Sequence, residues 1–339
     1  MKIYAIHNGT GSKQYRLIPQ LKAFQERGDE VILEKHDDKN MIEHIDWADI
    51  VIFQMVLSLE WIKYAKSKGK KVIFECDDLI HIVPKTHYAY KETKGIKNRL
   101  KYWWLFWRVF RLCDGFISTN KYLDRKYGWI AKKSFVFSNY CDISHWIRPY
   151  KGNTTEDIRL LWAGSTSHTG DLQMIQPVIK RIMDKYPQVK FIYIGHGGIQ
   201  SDNLQAKFIY GEDIFNDLGG KRESLLSVPA NIYPHILASL QADIAIAPLE
   251  KNYFNKFKSQ CKFLEYAINK IPTVYSKWFY TDAIGLKADT QDEWFIAISY
   301  LIENYSERKE MARNAYDEVL NKYDIRLHIN KYINFIDEI

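Results

Sequence analysis

Short apolar runs alternate with amphipathic stretches along most of this chain, and the spacing sorts them into two series. In residues 1–142 the runs at 2–7, 30–36, 49–55, 71–76, 115–119 and 133–138 predict strands. Segments of helical period lie between them, near 12–27, 40–47, 58–69, 87–113 and 121–128. Strands that alternate with helices in this way argue for a parallel sheet covered on both faces. Residues 143–157, with Pro149, Gly152, Asn153 and two threonines, read as a linker. A second series follows, with strands expected at 158–163, 190–195, 206–210, 231–233, 243–248, 272–276 and 285–288. Its helices are expected at 171–186, 222–227, 235–241, 258–269, 279–284 and 291–320, and a last helical pattern runs from Ile325 to Ile339. There is no internal repeat and no low-complexity tract.

Length agrees with the pattern, because 339 residues exceed what one ordinary core organises. The division expected is 1–148, 149–322 and a terminal helix over 323–339. No apolar run approaches the roughly 18 residues of a membrane span. The chain enters a strand at once through Met1–His7, which is not the pattern of a signal peptide. Cys76, Cys113, Cys141 and Cys261 lack metal-ligand spacing and read as reduced thiols, so the expected location is cytoplasmic. A net charge of +7 favours anionic partners without choosing among nucleotide phosphates, anionic lipid and nucleic acid.

The densest chemistry lies in Phe254-Asn-Lys-Phe-Lys-Ser-Gln-Cys-Lys-Phe-Leu-Glu-Tyr-Ala-Ile-Asn-Lys-Ile-Pro-Thr-Val-Tyr-Ser276. A cationic loop there leads into a helix with one inward acid, Glu265, and then a buried strand. Backbone N–H groups and the helix dipole make such a start an anion site. Lys258, Ser259 and Lys262 are the candidate phosphate contacts, and Glu265 can accept from a ribose; the plain alternative is an amphipathic helix with solvated lysines. Gly164-Ser-Thr-Ser-His-Thr-Gly-Asp171 is a second strand–loop–helix turn, in which Gly164, Ser165, Thr166 and His168 can face a diphosphate. Thr169 or Asp171 acting only as a helix cap explains the same residues. Gly9-Thr-Gly11 is a weaker signal, since a G-x-G lacking the third glycine also suits any tight strand-to-helix turn.

Over nearly its full length, and most densely in 158–276, the chain resembles the GT-B glycosyltransferases, especially the large retaining family of cell-envelope sugar transferases (family 4-like). The resemblance implies two Rossmann-like α/β domains facing across a cleft, with the last helix crossing back onto the first domain. It implies sugar transfer from a nucleotide-diphosphate donor to an acceptor hydroxyl on a glycan, a lipid-linked carrier or a nucleic acid. Retention of anomeric configuration is implied as well; no spaced D-x-D and no clustered His/Cys set occurs, so no cofactor and no metal is expected. Gly9, Gly11 and Asn255 join the donor set, and Arg16, Ser118 and Thr119 the acceptor side. One position departs from the family pattern: the glutamate expected eight positions before Glu265 is Phe257, and Lys258 and Asn255 are the candidates for its role.

Two features stand apart. Glu75-Cys76-Asp77-Asp78 closes a first-series strand, where Asp77 or Asp78 can orient or deprotonate an acceptor, or simply start a loop. Residues 91–111 carry seven Lys/Arg against one acid, interleaved with Trp103, Trp104, Phe106, Trp107 and Phe110. A buried helix with basic ends, a peripheral membrane contact through Lys91–Arg111 and a nucleic-acid grip all fit that composition. Other functions remain open too: a sugar transferase acting on nucleic acid, a GT-B epimerase or phosphorylase, and a non-catalytic nucleotide-sugar or glycan-binding subunit.

Overall fold

The computed structural model describes residues 1–9, 11–87, 89–146, 156–195, 215, 218, 222–225 and 228–339, with only the backbone of Thr166. Six strands form a first sheet: β1 (Lys2–His7), β2 (Glu30–Lys35), β3 (Ile50–Gln54), β4 (Lys71–Cys76), β5 (Gly115–Ser118) and β6 (Lys133–Val136). They pair in the order β2-β1-β3-β4-β5-β6, all parallel. A second parallel sheet contains β7 (Ile158–Ala163), β8 (Val189–Ile194), β9 (Arg222–Leu225), β10 (Ile244–Ala247), β11 (Thr273–Ser276) and β12 (Leu286–Ala288), in the order β12-β11-β10-β7-β8-β9. The central strands β3 and β10 are buried at every residue, as continuous apolar runs covered on both faces must be.

Helices α1 (Lys13–Arg16), α2 (Ile18–Arg27), α3 (Met41–Trp47), α4 (Leu59–Ser67), α5 (Tyr90–Thr93), α6 (Ile96–Leu112) and α7 (Lys121–Tyr127) accompany the first sheet. After α8 (Ile143–Trp146) come α9 (Thr169–Lys185), α10 (Tyr233–Ser239), α11 (Cys261–Ile268), α12 (Gln291–Glu303) and α13 (Tyr305–Lys322). The terminal helix α14 (Ile329–Asp337) crosses back as expected. It buries Tyr332, Phe335 and Ile336 against Ile3, Leu21, Phe24 and Phe137 of the first sheet's layer, and Asp337 pairs with Arg27 at 2.6 Å.

Several expected elements differ. Residues 222–225 form an edge strand rather than a helix, because Arg222–Leu225 completes the ladder on β8. The strand expected at 231–233 is instead the entry to α10, with Pro234 at the helix start, where its missing N–H does no harm. Residues 279–284 are turns and bends ahead of Gly285, whose φ of 152° suits glycine. Gly95, at φ 87°, divides 87–113 into two helices, and Asn304 divides 291–320. The expected linker begins as α8; residues 147–155 and the strand expected at 206–210 lie outside the described residues.

Candidate functional site

Open parallel sheets bind ligands at the carboxyl ends of their strands. Here those ends face each other: β1 leads to Gly11 and Ser12, β4 to Asp77 and Asp78, β7 to Gly164 and Ser165, β8 to Gly195. The cleft between them holds a cavity of about 330 Å³, which Lys258, Ser259, Lys262, Glu265 and His168 also line.

The floor is built on the β7 turn. A side chain at residue 164 would bring its Cβ within 2.7 Å of the Trp162 ring and 2.8 Å of Lys262 Nζ, so only glycine fits. Lys262, in the first turn of α11, is buried; its ammonium donates to the Ala163 carbonyl and lies 4.8 Å from the centre of the Trp162 ring. Burial lowers its pKa to about 8. His168 packs edge-on against Trp162 and joins Asp171 through Nδ1 at 2.6 Å, while the other Asp171 oxygen accepts from the Glu250 N–H at 2.6 Å. Burial, with Lys258 and Lys262 nearby, holds His168 down to about 4, so the ring is neutral.

Two more walls close the cavity, the first of them from the end of β4. The Asp78 carboxylate stands 4.0 Å from Lys258 Nζ. Loss of water raises Asp78 to about 6 against the pull of Lys258, with Asp77 adding to the rise. Asp77 is raised too, by burial, against Arg16 and a hydrogen bond from Ser12. On the opposite side Glu265 accepts from Tyr15 Oη at 2.7 Å and Tyr233 Oη at 3.1 Å. Burial raises its pKa, with Lys262 and the two tyrosine hydroxyls opposing. Trp146 stands between those tyrosines, its ring 6.3 Å from Tyr15 and 5.8 Å from Tyr233, and completes an aromatic wall.

Gly11, Asp77, Asp78, Gly164, Ser165, His168, Lys258, Ser259, Lys262 and Glu265 therefore meet in one cavity. Others do not. Arg16 is fully buried: it pairs with Glu75 at 2.6 Å, donates to the Phe137 carbonyl and reaches Asn139 Oδ1 at 3.1 Å, so no acceptor can touch it. Asn255 is buried in a 3-10 turn (Phe254–Phe257), where it donates to the Glu250 carbonyl at 2.8 Å and so shapes the loop instead of meeting a donor. Ser118 is buried and donates to the Asn120 carbonyl at 3.3 Å; Thr119 donates to the Asp77 carbonyl at 3.3 Å and lines an adjoining cavity that shares Asn139, Lys258 and Ser259 with the cleft. Gly9 holds its turn at φ 87°, its N–H on His7 Nδ1 at 2.9 Å, outside the cleft. The side chain of Thr166 lies outside the described residues.

Phe257 has a clear structural place. It is buried among first-sheet residues, its ring 6.5 Å from Tyr122, and Asn120 donates to its carbonyl at 2.7 Å. Where the family pattern has an acid beneath the sugar, this chain has an apolar tie between its two halves. Sequence reasoning missed Tyr15, Trp146, Tyr233 and Asp171. Only Asp171 sat inside a recognised motif, and there it read as a cap.

No protein-family model and no curated protein sequence matches the chain, but many solved structures resemble it. A glycosyltransferase from Rickettsia africae superposes with a TM-score of 0.63 at 13% identity, covering 99% of this chain and 98% of the other. Trehalose-6-phosphate synthase, studied for glycosyl transfer with retention, gives 0.63 at 12% over 100% and 99%. UDP-GlcNAc 2-epimerase from Neisseria meningitidis, bound to UDP-GlcNAc, gives 0.54 at 12% over 100% of both. At these identities the likeness shows the fold, GT-B, and nothing finer.

Proposed function

We propose that the cleft binds a nucleotide-diphosphate sugar and transfers the sugar to an acceptor hydroxyl, with retention of configuration and without a divalent ion. The observation that carries this reading is the meeting, in one cavity, of the β7–α9 turn, two lysines and a tyrosine-held glutamate. The diphosphate would lie against the N–H groups at the start of α9 and against Ser165, Lys258 and Lys262, the ribose on Glu265, and the base along the Trp146 wall. An epimerase of this fold holds UDP-GlcNAc, which makes uridine donors the first to try.

In the reaction the bond from the sugar C1 to the β-phosphate oxygen breaks and a bond from C1 to the acceptor oxygen forms. Negative charge then gathers on the departing diphosphate, where Lys258, Lys262 and the turn amides would stabilise it. The acceptor proton goes to Asp78, whose pKa near 6 leaves it ionised yet basic at neutral pH. Retention is what the family resemblance implies, and the anomeric proton signal of the product reports it. Release of nucleoside diphosphate that depends on an added acceptor, persists in EDTA and disappears in Asp78→Asn tests the whole reading.

A second reading has its own support. Two acids with raised pKa values, Asp77 and Asp78, can also pass a proton on and off a sugar carbon, as an epimerase must. Solvent deuterium entering the sugar of UDP-GlcNAc with no acceptor present would favour that reading; donor binding with neither reaction would favour a binding subunit.

A further inference from the structure

Helix α6 has two apolar faces, and only one is used. Phe106, Val109 and Phe110 enter the first sheet's core. About a third of a turn round the helix, Ile96, Leu100 and Trp104 are 74%, 60% and 54% exposed. Their i, i+4, i+8 spacing puts them on one stripe. Trp103, partly exposed, falls within about 20° of Ile96 at 3.6 residues per turn, and Trp107, at the same angular distance, packs partly against the first sheet's core. The neighbouring 3-10 turn Gly128–Ile130 adds Trp129, 66% exposed.

The charge around the stripe has one sign. Lys97, Lys101 and Arg108 border it on one side and Arg99 on the other, and no acid occurs from Thr93 to Arg111. Arg108 lies 4.4 Å over the Trp104 ring, and Arg111 4.9 Å over that of Trp107. Indole paired with guanidinium suits the headgroup level of a bilayer, where one end is apolar and the other wet. On α6 itself the two most exposed side chains, Ile96 and Leu100, are aliphatic, which insert among acyl chains but cannot stack on bases as nucleic-acid platforms do. Among the described residues no helix is long and apolar enough to span a membrane, so contact would be with one leaflet.

We propose that the Ile96–Leu100–Trp104 face of α6 docks the protein on an anionic lipid surface. As the crossover between β4 and β5, α6 runs against the strands, so its Ile96 end lies at the same sheet edge as Asp77 and Asp78. A docked molecule holds its cleft beside the bilayer, where the hydroxyl of a lipid-borne acceptor arrives. The surface itself does not depend on the sugar-transfer reading.

The test is sedimentation of the full chain with phosphatidylcholine vesicles, with and without phosphatidylglycerol, and needs no sugar substrate. Binding is expected only with phosphatidylglycerol. Lys97→Ala with Lys101→Ala should weaken it about twenty-five-fold, at roughly fivefold per cation near the surface. Leu100→Glu with Trp104→Glu should weaken it at least about tenfold, because charges then enter the interface. Unchanged circular dichroism and thermal unfolding confirm that both variants fold. No binding to phosphatidylglycerol vesicles would overturn the proposal, as would equal binding by the Leu100/Trp104 variant. So would tight binding of a single-stranded oligonucleotide by a protein that ignores the vesicles.

Discussion

Arg16 and Glu75 form an ion pair with no exposure on either side chain, and replacing Arg16 with methionine probes it directly. The pair joins α1, which brings Ser12 and Tyr15 to the cleft, to β4, which brings Asp77 and Asp78. In Arg16→Met the Glu75 carboxylate keeps, among the described residues, only a 3.4 Å contact with Tyr332 Oη from the terminal helix. Breaking a buried pair on one side costs about 3–5 kcal/mol, because the remaining charge is uncompensated. The pH dependence follows from Glu75, which burial raises to about 7 against the pull of Arg16. An acid raised in the folded state stabilises most below its unfolded pKa, and that contribution is lost as pH rises through the folded value. The parent protein should therefore lose stability up to about pH 7 and then level off. Without Arg16 the folded pKa moves higher, and the variant should keep losing about 1.4 kcal/mol per pH unit above 7. Urea unfolding at several pH values from 6 to 9, followed by circular dichroism, reads both effects. Arg16→Met with Glu75→Leu should recover most of the loss, since apolar replacement of both partners is nearly neutral. A single variant within about 1 kcal/mol of the parent, running parallel to it in pH, would refute the reasoning.

Three further outcomes are expected at the cleft. Lys262 carries its charge below about pH 8, so affinity for a nucleoside diphosphate should fall roughly tenfold as pH rises from 7 to 9; calorimetry on Lys262→Met should show no such step. Asp78→Asn should cut turnover by about 10²–10⁴ while leaving donor affinity unchanged, which separates proton removal from binding. Tyr15→Phe removes a donor from a half-buried carboxyl and should cost about 1 kcal/mol of stability. Glu265 then titrates at higher pH; because the proposed ribose contact needs the carboxylate, donor affinity in titrations toward acid pH should fail earlier than in the parent.

Both sheets could be read from the sequence wherever burial on two faces leaves an uninterrupted apolar run, as in Ile50–Phe53 and Ile244–Ala247. The reading failed at the margins. β9 is four residues of mixed polarity whose strand character comes from pairing with β8, a tertiary fact with no local mark. In the site, Gly164, Lys258, Lys262 and Glu265 were legible because each lies in a compact strand–loop–helix unit whose order carries the chemistry. Arg16, Ser118 and Asn255 looked available because polar residues at strand and helix ends usually are. Their partners, Glu75, Asn120 and Glu250, are ordinary residues in sequence that only the fold brings to them. The hold on Glu265 was invisible for the same reason: Tyr15 lies 250 residues away and on the other sheet's side.

The most direct test of the central claim is thermal unfolding of the protein and of Glu265→Ala with a panel of UDP-, GDP-, ADP-, CMP- and dTDP-sugars. Ligand that binds only the folded state raises the midpoint, by about 2.7 kcal/mol of stability at a hundredfold excess over Kd. The account predicts a rise with one nucleotide class, uridine first, and its loss in Glu265→Ala. No rise with any member of the panel, or an equal rise in Glu265→Ala, would contradict a nucleotide-sugar site in this cleft.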